Sequence, residues 1–111
     1  MGLVNNFLNQ ELFNHYNFKN FVETGTGRGQ SLRYSMNFGF EKIYSLDIDP
    51  VVIQVCLDTQ SDSRVKIFVG DSNELMKGIC ESIKSNTFFW LDAHFPCCYT
   101  ENTLRKTLDK T

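Results

Sequence analysis

The residues with the clearest chemical potential stand in the stretch "FVETGTGRGQS", residues 21 to 31. Three glycines, Gly25, Gly27 and Gly29, alternate with other residues just behind a carboxylate, Glu23. Glycine has no Cβ, so it tolerates positive φ and lets a ligand approach the main chain closely. A bare turn between a strand and a helix also offers its free N–H groups to that ligand. Further along, Asp47 closes the apolar run "KIYSLD", Asp71 follows "RVKIFVG" and Asp92 follows "NTFFWL". Four apolar segments thus each deliver a carboxylate at or near their ends. A rim of that kind repels a pyrophosphate, attracts a cation and gives acceptors to hydroxyl and amino groups.

Asp92 and His94, two residues apart in "WLDAH", are the best-placed pair for acid–base chemistry. His94 also lies three residues before Cys97, a spacing that raises the question of a metal. Adjacent cysteines at 97 and 98 are badly placed to share one ion, and neither a CxxC pair nor a zinc-ribbon spacing is present. No metal is therefore expected. Asp49, ahead of Pro50, reads as a cap for a helical turn, and the Phe88-Phe89-Trp90 run reads as core.

The elements that must hold these residues can be read from periodicity. Leu3, Phe7, Leu8 and Leu12 mark an amphipathic leading helix over 3–16. "NFVET" is a short buried strand that runs into the glycine loop, and "QSLRYSMNFG" a helix stopped by Gly39. "KIYSLD" is a second strand. "PVVIQVCLDT" has the β-branched content of a strand, but its Asp-Pro start and its place after a strand favour a helix. "RVKIFVGD" is a third strand, and Leu75, Ile79 and Ile83 at i, i+4, i+8 mark the next helix. "NTFFWLDAH" is a fourth strand, and the polar tail over 97–111 can form a short helix through Leu104 and Leu108. Strands alternating with helices mean a parallel sheet in an α/β sandwich, and such sheets bind ligands beyond the carboxyl ends of their strands. The chain is read as one domain over 1–111, with its binding core over 20–96.

Two nucleotide-binding patterns compete for the loop. The dinucleotide fingerprint GxGxxG needs a third glycine where this chain has Gln30, which disfavours a nicotinamide-dependent oxidoreductase. The pattern that stands is ExGxGxG, from Glu23 to Gly29. With Asp47 after the second strand, Asp71 after the third and Asp92 after the fourth, the chain resembles the class I S-adenosylmethionine-dependent methyltransferases. That resemblance implies a Rossmann-like three-layer sandwich with a mostly parallel sheet of strand order 3-2-1-4. It implies cofactor binding by Glu23, Gly25, Gly27, Gly29, Asp47 and Asp71: Glu23 toward the methionine ammonium, Asp47 toward the ribose and Asp71 toward the adenine. It places Asp92 and His94 beside the transferring methyl. The family's sheet has seven strands and this chain has residues for four, so a fragment, or a binding module completed by another chain, is the alternative to a self-sufficient enzyme.

Composition narrows the remaining classes. The chain has 111 residues, 41% of them hydrophobic, which suits one ordinary core. Its net charge is −2 with no basic run, so no nucleic-acid partner is expected. No apolar run is long enough to span a bilayer, and "MGLVNNFLNQELFNHY" lacks the basic and apolar regions of a signal peptide. Asn6 replaces the Ser or Thr of a myristoylation signal. A cytoplasmic setting with reduced thiols is expected. The acceptor is expected to be a small molecule or glycan, and the uncharged edge "TFFWL" to promote self-association.

Overall fold

The computed structural model describes residues 4–83 and 85–91. Asp92, His94, the two adjacent cysteines and the tail helix expected through Leu104 and Leu108 lie outside the described residues. The leading helix expected over 3–16 is two pieces: a 3-10 turn at Val4–Asn6 and helix α1 at Gln10–Tyr16. Asn9 divides them. Its backbone is extended, and its side chain accepts a hydrogen bond from Leu12 N at 2.8 Å, the usual work of an N-cap. The helix ends at Asn17, which takes a left-handed conformation at φ 52°.

Strand and helix then alternate as β1 (Asn20–Thr24), α2 (Gln30–Ser35), β2 (Lys42–Asp47), α3 (Val52–Val55), β3 (Val65–Val69), α4 (Ser72–Ser82) and β4 (Thr87–Leu91). A 3-10 turn at Leu57–Ser61 follows α3, so the β-branched segment after Asp49-Pro50 is helical but short. The four strands form one sheet in the order β3-β2-β1-β4, and every pair is parallel. The fold is the Rossmann-like α/β sandwich that the alternation of elements implied.

Side chains alternate across each strand, and matched register carries that alternation across the sheet. Phe21 pairs with Ile43 and Phe88, and Ile43 pairs with Val65, which makes one apolar row on one face. Leu8, Leu32, Phe40 and Cys56 pack on that row. On the other face Val22 and Leu46 meet Ile79 of α4, with Leu75, Met76 and Ile83 completing the contact. The helical stripe at Leu75, Ile79 and Ile83 is therefore the buried side of α4.

One arginine ties the distal end together. Arg64, just before β3, donates to the carbonyls of Met36, Phe38 and Phe40 and forms a forked pair with Asp62. Each of its three side-chain nitrogens has a partner. The irregular segment between α2 and β2 would otherwise leave those carbonyls short of donors. Asp62 is held below its usual value by the hydrogen bonds from Arg64.

Candidate functional site at the carboxyl ends of the strands

The site is built around a turn that only glycines can make cheaply. Gly25, Gly27 and Gly29 have φ of 83°, 54° and 85°, all in the left-handed region. The turn hangs from the end of β2. Gly25 N donates to Leu46 O at 2.7 Å, Thr26 N to the same carbonyl at 3.2 Å, and Gly27 N to the Asp47 carboxylate at 3.0 Å. The three glycines differ in surroundings. A Cβ at Gly27 would meet nothing within 4 Å, whereas one at Gly29 would lie 2.6 Å from Cys56 Sγ and 2.8 Å from Arg33 Nη1. Gly27 faces open space, and Gly29 lets the start of α2 pack down.

Arg33 fixes the far side of this turn. It donates to Arg28 O at 2.6 Å and to Val55 O at 3.2 Å, and it forks onto both oxygens of Asp58. The glycine turn is thereby tied to the segment after β2. Asp58 is held below the usual carboxylate range by its hydrogen bonds from Arg33. Burial pushes the Cys56 thiol up, against the pull of the neighbouring guanidinium, so Cys56 is packing material and not a nucleophile.

Asp47 joins three loops. Its Oδ2 accepts from Gly27 N, its Oδ1 from Asp49 N at 3.0 Å, and its carbonyl from Gly70 N at 2.9 Å. The loops after β1, β2 and β3 thus all bond to this residue. Asp49 in turn accepts from Val51 N at 3.0 Å and caps the turn that opens α3, as expected. Asp71 is exposed and caps α4 through a bond from Asn73 N at 2.8 Å.

Glu23 sits differently from the other acidic residues. It belongs to the carboxyl end of β1, but its side chain is only 1% exposed. Ser45 Oγ donates to its Oε2 at 2.5 Å, and Thr26 Oγ1 lies 2.6 Å from Ser45 Oγ. Glu23, Ser45 and Thr26 form a buried polar chain beneath the glycine turn. Thr26 and Ser45 were not singled out in the sequence. The signal was present: Ser45 sits two residues after buried Ile43, on an inward face where a polar residue needs a partner. Ile48 was also missed. It directly follows Asp47 and is 74% exposed, an apolar surface beside the carboxylate.

Among the described residues no group of three or more His, Cys, Asp and Glu is arranged to hold a metal ion, and no helix is long and apolar enough to cross a membrane. No family model matches the chain. The chain is 41% identical over 64 residues to ribosomal protein L11 methyltransferase from Carboxydothermus hydrogenoformans. The match covers 56% of this chain and 21% of that relative, so the aligned part is about a fifth of the relative's length. The match to this methyltransferase is a distant one, and the parallel sheet order β3-β2-β1-β4 is the order implied by the resemblance to the class I S-adenosylmethionine-dependent methyltransferases.

Proposed function

We propose that this chain is the cofactor-binding part of an S-adenosylmethionine-dependent methyltransferase. The observation that carries the reading is Asp47 bonded to the glycine turn, beside a Gly27 with open space above it. A carboxylate has about four acceptor sites. Two are taken by the N–H groups of Gly27 and Asp49, which leaves capacity for the two ribose hydroxyls. A nucleoside can lie against Gly27 because no side chain projects there. Ile48, exposed and next to Asp47 in the chain, offers an apolar surface, and Asp71, exposed beyond β3, is an acceptor for the adenine amine. Glu23 supplies negative charge from beneath the turn toward the ammonium.

When bound, the cofactor supplies a methyl group on a sulfonium, open to displacement by a nucleophile. The protein's part is positioning and charge matching, with the turn and Asp47 ordered before the ligand arrives. Asp92 and His94, which follow β4 in the sequence and lie outside the described residues, remain the proposed acid–base pair. The relative's name specifies a protein acceptor, whereas a small molecule or glycan is the acceptor proposed for this chain.

Calorimetry with S-adenosylhomocysteine and with NAD tests the reading. Binding of the first and none of the second is expected. A preference for NAD would overturn it.

A further inference from the structure

A turn with glycines at 25, 27 and 29, all at positive φ, has many shapes open to it, so a single shape must be held by bonds from outside. Its entry is held by β2: Gly25 N and Thr26 N donate to Leu46 O, and Gly27 N donates to the Asp47 carboxylate. Its exit is held by Arg33, whose Nη1 donates to Arg28 O at 2.6 Å. The same guanidinium donates from Nη2 to Val55 O, the last carbonyl of α3, and forks onto both oxygens of Asp58. Gly29 leaves the room for this, since a Cβ there would lie 2.8 Å from Nη1.

An exposed ion pair contributes little by itself, and the Arg33 and Asp58 side chains are 39% and 63% exposed. The two carbonyl bonds set this arginine apart, because they join the turn after β1 to the segment after β2. A lysine ammonium, a point charge, could not span the same three acceptors. The segment from Asp47 to Asp58 is thus fastened to the glycine turn at both ends, by Asp47 and by Arg33. The two fastenings fall on adjacent residues of the turn, Gly27 and Arg28. We infer that Arg33, braced by Asp58, is a positioning residue for the ligand: it acts through the turn, holding Arg28 so that Gly27 stays on the Asp47 carboxylate. The inference rests on the cofactor reading above and adds to it two residues that touch no ligand. A site ordered in advance binds more tightly, because the ligand need not order it. If the unbraced turn keeps its shape for roughly a tenth to a third of the time, affinity falls by about three- to tenfold.

S-adenosylhomocysteine is titrated by calorimetry into the full chain and into Arg33→Gln, Asp47→Ala, the variant carrying both changes, and Arg64→Gln. The last is a matched control: Arg64 also forks onto an aspartate and gathers loop carbonyls, but it does so before β3, at the opposite end of the sheet. Arg33→Gln is expected to bind about three- to tenfold more weakly than the wild type, and Arg64→Gln as tightly as the wild type. Since Arg33 acts through the bond between Gly27 and Asp47, its replacement is expected to change affinity by less than about twofold once Asp47 is alanine. A merely structural arginine would lower Tm without this dependence on Asp47. Equal affinity in the wild type and Arg33→Gln overturns the inference, and so does a full loss repeated in the Asp47→Ala background or matched by Arg64→Gln. Each of those results leaves the cofactor reading standing. Should Arg33→Gln fail to fold, Asp58→Ala takes its place, because it removes only the exposed fork. A loss above about twofold then supports the inference, and unchanged affinity overturns it. If the wild type does not bind S-adenosylhomocysteine, the cofactor reading falls and the inference with it.

Discussion

Replacing Asp47 with alanine tests whether one side chain both orders the loops and holds the ligand. The carboxylate accepts from Gly27 N and Asp49 N, each at 3.0 Å and each near solvent. Exposed bonds of this kind contribute about 0.5–1 kcal/mol each, so Asp47→Ala is expected to cost about 1–2 kcal/mol of stability. For a domain of this size that is a fall in Tm of about 5–15 °C. The bond from Gly70 N to the Asp47 carbonyl does not depend on the side chain and should survive. Ligand affinity should fall further, because ribose hydroxyls lose their acceptor and the Gly27 turn loses its tether. A loss of about 1–3 kcal/mol, roughly 5- to 150-fold, is expected for S-adenosylhomocysteine. Calorimetry gives the affinity, and a thermal melt on the same samples gives the stability term. Asn9→Ala is the control for general damage, since loss of that cap on α1 should cost about 1 kcal/mol of stability without touching the glycine turn. Equal affinity in the wild type and Asp47→Ala would refute the ribose contact, and an unchanged Tm would refute the tether.

Gly27→Val should abolish S-adenosylhomocysteine binding with smaller damage to the fold, because its branched side chain enters open space but strains a φ of 54°; loss of secondary structure by circular dichroism at ordinary temperature would instead mean that this glycine only makes the turn. Arg64→Ala should destabilise by about 2–4 kcal/mol in urea melts, because three carbonyls and Asp62 lose their donors together. The same pair sets an acid dependence: the Asp62 carboxyl is depressed below its ordinary 3.8, so its contribution is full above that value and is lost as pH falls through the lower folded value. Arg64→Ala should remove that part of the acid sensitivity, which unfolding at pH 2–4 would reveal. Finally, β4 is the last strand beside β1 in the described sheet, and its aromatic edge predicts that the chain associates; a stable monomer by light scattering over a range of concentrations would contradict this.

Much of the architecture was legible because its signals are local. Alternating strand and helix patterns imply a parallel sheet, and Leu75, Ile79 and Ile83 mark the buried stripe of α4 from spacing alone. The glycine turn and the acidic residues at the carboxyl ends of β1, β2 and β3 could be placed at one end of the sheet because parallel strands all point the same way. The leading helix was read too long, because a 3.6-residue pattern continued through Asn9 while the asparagine side chain capped a new start there.

What each of those residues does depended on contacts between distant parts of the chain. Three similar glycines proved unlike: Gly27 is open, and Gly29 is pressed against Cys56 and Arg33. Glu23 is covered and held by Ser45, 22 residues away, rather than standing at an open rim. Asp47 receives N–H groups from three loops, and Trp90 becomes the neighbour of Glu23 only through the register of β1 and β4. The sequence by itself determined which elements form and at which ends the acidic residues lie, because period and propensity act over a few residues. Only the tertiary structure decided which donor meets which acceptor, because strand register and loop tethering are fixed by packing the whole sheet at once.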